Sequence, residues 1–297
     1  MKTNLSGIFA PICTPFKNGS VAMDQLANNM KQYRMSRLSG YFVLGSNGES
    51  SLLTDQEKLR VVEVVLDQKA DGQVVMVGAG HESTDQTISF GKNVVSMGVD
   101  YVSILTPSYY KKRYTTEAMV RYYSDVADEL TAPVIVYNAP GFTGVTLSPE
   151  VIATISAHPN IAGMKDTSKG NMSKYISAAE KRFSLLSGSI STLFESMMLG
   201  ANGGVVSLAN AFADPCIDLY EACETADIQT ARRLHYLLNN LSSGISGRFG
   251  VAGVKYAMEL AGLYGGDPRR PILPLTDVER YSIKTLIDRS GILSISN

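Results

Sequence analysis

The stretch NIAGMKDTSKG, residues 160–170, puts a lysine at the end of an apolar run. Ile161, Ala162, Gly163 and Met164 lead into Lys165, and Asp166, Thr167, Ser168 and Gly170 compose a turn behind it. A lysine that closes a strand is either a solvated edge group or an amine held in a pocket, and lysine is seldom buried without a reason. In a pocket, desolvation disfavours the ammonium and lowers its pKa. The neutral amine can then attack a ketone and form an imine. Once protonated, that imine is an electron sink for making or breaking the adjacent carbon–carbon bond. Such chemistry also needs a proton carrier. Tyr137, in the run PVIVYNAP (133–140), offers a phenol for that task. The alternative for Tyr137 is a core tyrosine with its hydroxyl bonded to backbone.

Both residues need elements to hold them. Eight short runs recur along the chain: GIFAPICTPF (7–16), GYFVLG (40–45), QVVMVGAG (73–80), DYVSILTP (100–107), PVIVYNAP (133–140), NIAGMKD (160–166), FSLLSG (183–188) and GGVVSL (203–208). Most are apolar throughout rather than alternating, as parallel strands covered on both faces should be. Amphipathic stretches lie between them. TDQEKLRVVEVVLDQKA opens on Thr54 with Glu57 three residues on, a capping-box signature. TDQTISFGKNVVSMG, TTEAMVRYYSDVADEL and SPEVIATISAHP likewise begin on Thr or Ser. This alternation predicts an α/β fold, a (β/α)8 TIM barrel. DPCIDLYEACETADIQTARRLHYLLNNL, GVAGVKYAMELAGLYGG and TDVERYSIKTLIDRS exceed what one closing helix needs. The expected organisation is a barrel over residues 1–225 and an added C-terminal helical region over 226–297.

In such a barrel, chemistry belongs at the carboxyl ends of the strands. Those ends read GSNGES, TPSYYKKR, VYNAPGFTG, MKDTS and LSGSIS, rich in hydroxyls, phenols and an amide around Lys165. No metal site is expected, because His81, His158 and His235 have no HxxxH spacing. A GxxxxGK[ST] phosphate loop is missing, and GAGHEST matches only a fragment of a dinucleotide fingerprint. The net charge of −1 argues against a nucleic-acid partner. Cys13, Cys216 and Cys223 lack metal or redox spacing and suit a reduced compartment. No run approaches a membrane span, and the start, MKTNLSGIFAPICTPF, lacks the continuous apolar stretch of a signal peptide. A cytoplasmic location is expected.

In order along the chain, GIFAPICTPF, GSNGES, TPSYYKK, VYNAPGFTG, GMKDTS, LLSG, GANGGVVSLAN and GVKYAMELAGLYGGDPRRPILPL resemble one family. It is the dihydrodipicolinate synthase/N-acetylneuraminate lyase family of class I, pyruvate-dependent aldolases. The resemblance implies that Lys165 is the Schiff-base lysine and Tyr137 the acid/base residue. It places Ser46 between two phenols, Tyr137 and Tyr109, the second reaching across from a neighbouring subunit. It implies a homo-oligomer, a dimer of dimers, acting on a 2-oxo acid (pyruvate) with no cofactor beyond the lysine imine. The backbone amides of GSN, at Ser46 and Asn47, are then suited to the pyruvyl carboxylate. Thr167, Gly188 and Phe142 join Asn47 in the implied substrate-binding set.

Departures from the family patterns bear on the substrate. Dihydrodipicolinate synthases typically carry an arginine two residues after the proline of the tyrosine loop. Phe142 stands there, and a phenyl ring cannot form that bidentate ion pair with a carboxylate. Sialic-acid lyases carry an Asp-Glu pair just after the strand-seven glycine, where this chain has Ser189, Ile190 and Ser191. GSNGE, HPNIAGMKD and RFGVAGVK are closer to the branch of 4-hydroxy-2-oxoglutarate and 2-keto-3-deoxy sugar acid aldolases. The expected function is a class I lyase that cleaves or forms a carbon–carbon bond next to pyruvate, acting on a 4-hydroxy-2-oxo acid. The alternatives are dihydrodipicolinate synthase, a keto-deoxy sugar acid dehydratase and a non-enzymatic 2-oxo acid binding regulator. Lys111, Lys112 and Arg113 are either a contact for a distal carboxylate or a solvated loop.

Overall fold

Val, Ile, Tyr and Phe dominate the apolar runs, and such side chains fit a pleated, buried surface. The computed structural model describes residues 5–294; residues 1–4 and 295–297, which the expected limits 1 and 297 include, lie outside the described residues. The eight runs form β1 (Gly7–Pro11), β2 (Gly40–Val43), β3 (Val74–Gly78), β4 (Tyr101–Leu105), β5 (Val134–Asn138), β6 (Ile161–Asp166), β7 (Ser184–Ser187) and β8 (Gly203–Val205). Every residue of β1, β2, β5, β7 and β8 is buried, as the continuous apolar pattern requires. The strands close a barrel in the order β1-β8-β7-β6-β5-β4-β3-β2. Parallel pairing sets Leu105 opposite Tyr137, Tyr137 opposite Lys165, and Lys165 opposite Leu186. The fold is the TIM barrel that the alternation predicts.

Helices follow the strands: α1 (Met23–Tyr33), α2 (Asp55–Gln68), α3 (Thr84–Ser96), α4 (Thr116–Glu129), α5 (Pro140–Thr143), α6 (Pro149–Ser156), α7 (Met172–Ala178) and α8 (Ile190–Leu199). After β8 comes α9 (Ala213–Glu224), within the range expected for the barrel, and the C-terminal region then holds α10 (Ile228–Ser242), α11 (Arg248–Leu260) and α12 (Asp277–Ser290). Thr54 and Glu57 form the expected capping box at α2, and Ser83, Thr115 and Ser148 cap α3, α4 and α6. Each such cap satisfies an amide that the first helical turn leaves without a partner.

Packing groups the chain into two compact units. The first runs through Gly7 and then from Val74 to Val205; the second comprises Ile8–Gln73 and the chain from Val206 onward. In the second unit α1 is tied to the segment after α11 by a reciprocal amide clamp. Asn29 Nδ2 donates to the Tyr264 carbonyl at 2.8 Å, and Tyr264 N–H donates to Asn29 Oδ1 at 2.9 Å. Among the described residues, no helix is long and apolar enough to cross a membrane.

Candidate active site

Strand register does the first part of the positioning. Tyr137 and Lys165 are paired residues of β5 and β6, so their side chains leave the sheet on the same face. Lys165 Nζ lies 4.1 Å from the centroid of the Tyr137 ring. Both side chains are buried, Lys165 at 5 % exposure and Tyr137 at 4 %. That burial disfavours the ammonium and holds the Lys165 pKa below the ordinary lysine value, although Tyr137 partly opposes the shift.

The next pair in register, Asn138 and Asp166, locks the two strand ends together. Asn138 Nδ2 donates to Asp166 Oδ1 at 2.7 Å and to the Tyr175 hydroxyl at 3.2 Å. Tyr175 donates onward to the Leu147 carbonyl at 2.8 Å, while Leu147 N–H donates to Asn138 Oδ1 at 3.1 Å. Asp166 also accepts from the Ser168 amide at 3.0 Å and the Ser168 hydroxyl at 2.9 Å. Burial pushes the Asp166 carboxyl up from its ordinary value, against these hydrogen bonds. A satisfied buried network of this kind makes the geometry around it specific. Sequence reasoning missed Asn138, Asp166 and Tyr175. The one local signal is the Asp-x-Ser spacing of a side-chain-closed turn.

Thr167 and Gly188 lie against the same strand ends. The Thr167 amide and hydroxyl both donate to the Asn138 carbonyl, at 2.9 and 3.1 Å. Gly188 N–H donates to the Asp166 carbonyl at 2.6 Å. A Cβ at Gly188 would collide with the Thr167 methyl and come within 2.8 Å of the Asp166 carbonyl oxygen, so this approach needs glycine. The first unit thus brings Lys165, Tyr137, Thr167 and Gly188 together.

Tyr109 and Phe142 are placed differently. Tyr109 is 78 % exposed and Phe142, on α5, is 70 % exposed, in contrast to the buried Lys165 and Tyr137. The Tyr109 ring packs edge-on against Tyr110 with centroids 4.9 Å apart. Lys111, Lys112 and Arg113 follow in an exposed 3-10 turn.

Ser46 and Asn47 belong to the second unit, in the turn after β2. Leu44 and Glu49 bracket that turn in left-handed conformations, with φ of 60° and 51°. For non-glycine residues such conformations cost about 1–3 kcal/mol each and persist only where the surroundings enforce them. The turn is closed by Gly48 N–H to the Gly45 carbonyl at 3.0 Å and Glu49 N–H to the Ser46 carbonyl at 3.1 Å. Thr14 Oγ1 donates to the Gly48 carbonyl at 2.7 Å. Asn47 Nδ2 is buried without a hydrogen-bond partner among the described residues, so the turn carries a spare donor.

The side chain of Glu49 supplies the enforcement. It forms an ion pair with Lys255 of α11 at 2.5 Å and accepts from the Arg269 amide at 2.7 Å. Lys255 also donates to the Asp267 carbonyl at 3.2 Å and lies 4.4 Å from the centroid of Phe16. Arg269 makes a two-pronged contact with Glu57, at 2.6 and 2.8 Å, and donates to the Leu52 carbonyl at 2.9 Å. None of these partnerships was anticipated from the sequence.

A family model described as the dihydrodipicolinate synthetase family matches residues 4–290. The 4-hydroxy-tetrahydrodipicolinate synthase of Methanospirillum hungatei is 30 % identical over 289 residues, which cover 95 % of this chain and 98 % of that protein. The protein of the same name from Methanosphaerula palustris is 32 % identical over 286 residues, covering 94 % and 97 %. A crystal structure of the chloride-inhibited dihydrodipicolinate synthase from Acinetobacter baumannii, complexed with pyruvate, matches with a TM-score of 0.92 at 27 % identity. The match covers 97 % of this chain and 100 % of that one.

Proposed function

The chain belongs to the dihydrodipicolinate synthetase family, and from that premise we propose that Lys165 forms the imine with pyruvate and Tyr137 carries its protons. The protein is a lyase of the class I, pyruvate-dependent type, which works through a lysine imine and no external cofactor. The observation that carries the assignment is the buried Lys165 Nζ set 4.1 Å from the Tyr137 ring.

Neutral Lys165 attacks C2 of pyruvate and gives a carbinolamine. A proton delivered to its hydroxyl lets water leave, and a protonated imine forms. Loss of a proton from the methyl carbon gives an enamine, with the electron pair shared between that carbon and nitrogen. The enamine carbon then attacks an aldehyde, whose oxygen takes up a proton; hydrolysis of the new imine frees Lys165. In the reverse direction, a 4-hydroxy-2-oxo acid gives up its C3–C4 electron pair to the imine. The buried Tyr137 phenol is suited to the transfers at nitrogen and at the departing hydroxyl. The family pattern adds Ser46 and Tyr109 to the proton relay, the backbone amides of Ser46 and Asn47 as holders of the pyruvyl carboxylate, and Thr167 and Gly188 as substrate contacts. The buried Asn47 Nδ2, without a hydrogen-bond partner among the described residues, offers a further side-chain donor at this residue. The exposed phenol of Tyr109 supports a role toward a neighbouring subunit, and with it a homo-oligomeric dimer of dimers.

For the aldehyde, the relatives' names favour the synthase reaction, condensation of pyruvate with aspartate semialdehyde. The sequence pattern by itself places that reaction second to cleavage of a 4-hydroxy-2-oxo acid. One observation keeps cleavage as the second reading: Phe142, exposed on α5, offers a carboxylate no ion pair. Rates of condensation with aspartate semialdehyde, pyruvate release from 4-hydroxy-2-oxo acids and water loss from keto-deoxy sugar acids, measured on one preparation, test the choice. Condensation is expected to be the fastest. Faster cleavage establishes the second reading, and water loss without pyruvate release establishes a dehydratase.

A further inference from the structure

The loop after β4 carries the most exposed phenol of the proposed site, and a single carboxylate ties down its backbone. Glu82, just before α3, accepts from the Ser108 amide at 2.9 and 3.0 Å, the Ser108 hydroxyl at 2.8 Å and the Tyr109 amide at 2.9 Å. The Tyr114 hydroxyl donates to the same carboxylate at 3.4 Å. Tyr109 and its neighbours are otherwise on the surface, where little packing fixes a loop. Burial alone would raise the Glu82 carboxyl, but the hydrogen bonds from Tyr109 and Ser108 outweigh it and hold the group below its ordinary value. Charge-assisted bonds of this kind are stronger than neutral ones.

We propose that Glu82 is a positioning residue for Tyr109, its carboxylate fixing the loop backbone so that the phenol projects from the chain in one direction. The inference rests on the assignment of Tyr109 to the proton relay. A glutamine at position 82 has the same shape but only one acceptor oxygen, and its amide nitrogen would face N–H groups. The loop then loses its fixed direction while Lys165 and Tyr137 are untouched.

The test uses the full chain with Glu82→Gln, Tyr109→Phe and the double variant, read by steady-state kinetics, thermal unfolding and borohydride trapping of pyruvate. Glu82→Gln is expected to lower kcat about tenfold, leave KM for pyruvate within about twofold and leave the final extent of Lys165 trapping unchanged. In the double variant kcat should fall no further than in Tyr109→Phe, because Glu82 acts through that residue. Wild-type kcat in Glu82→Gln alongside an impaired Tyr109→Phe overturns the proposal, as do losses that multiply in the double variant. Wild-type kcat in Tyr109→Phe is a different failure: it removes the relay assignment and the proposal together.

Discussion

Lys165 and Lys255 are both buried, at 5 % and 1 % exposure, yet their surroundings ask opposite things of the same side chain. In the second unit Lys255 meets the Glu49 carboxylate, the Asp267 carbonyl and the face of Phe16, each of which favours a cation. In the first unit Lys165 faces the ring of Tyr137 across neighbouring strands, and burial holds its pKa below the ordinary lysine value. The difference teaches that burial alone does not make a lysine reactive. At Lys255 the contact with the Glu49 carboxylate makes the residue a structural tie. At Lys165 burial outweighs the opposing contribution of Tyr137 and shifts the pKa down, toward the neutral amine, which is the form that attacks a ketone.

The two lysines should therefore fail in different ways. Lys165→Met is expected to lower turnover by about 10⁴-fold or more while the barrel still folds. The same substitution should raise stability at neutral pH. Lys165 has a lowered folded pKa, so between that value and 10.5 the unfolded chain binds more protons than the folded one. The cost of burying it is therefore fully present at low pH and fades as pH rises toward 10.5. Thermal unfolding of variant and wild type across this range checks the sign: the gap in Tm should shrink with rising pH. A variant less stable at neutral pH would break the contrast.

Tyr137→Phe sharpens the contrast on the catalytic side. Loss of a positioned acid/base group costs about 10²–10⁴-fold, so kcat should fall in that range without loss of stability. Wild-type kcat in this variant would move the proton carrier elsewhere.

Lys255→Met should act on the fold. Leaving Glu49 buried without its cation costs about 3–5 kcal/mol, readable as a lower denaturant midpoint. Joining it to Glu49→Gln removes the orphaned charge and should recover part of the loss. If instead the double variant loses as much as both singles added, the two residues do not act as a pair.

The smallest effect concerns acid. Hydrogen bonding from Arg269 holds the Glu57 carboxyl down at about 2, from an ordinary 4.5. A depressed carboxyl contributes stability that is present above 4.5 and lost as pH falls through about 2. Glu57→Gln should flatten the decline in stability over this window, as followed by unfolding at fixed pH. An unchanged slope would assign the decline to other carboxylates.

The barrel and the caps Thr54, Thr115 and Ser148 are legible because their signals are local, while α3 is capped by Ser83, one residue before the Thr84 that opens the sequence pattern. Continuous apolar runs mark strands covered on both faces, and Thr54 with Glu57 marks the start of α2. The pairing of Tyr137 with Lys165 was legible at one remove, since successive strands of a barrel are neighbours. The enforcing contacts were not legible. Glu49 and the Arg269 amide are 220 positions apart, and a contact over such a distance leaves no period or motif in the chain. Glu57 shows the limit within one residue: its capping role is written in the spacing, while its ion pair with Arg269 exists only once the chain has folded.

The central claim, that Lys165 is the amine and Lys255 the tie, has a direct measurement. Borohydride added with pyruvate should reduce an imine to a stable secondary amine on Lys165, inactivate the protein and leave Lys255 unmodified, as peptide mapping by mass would show. An adduct on any other lysine, or inactive protein with no adduct, would contradict the account.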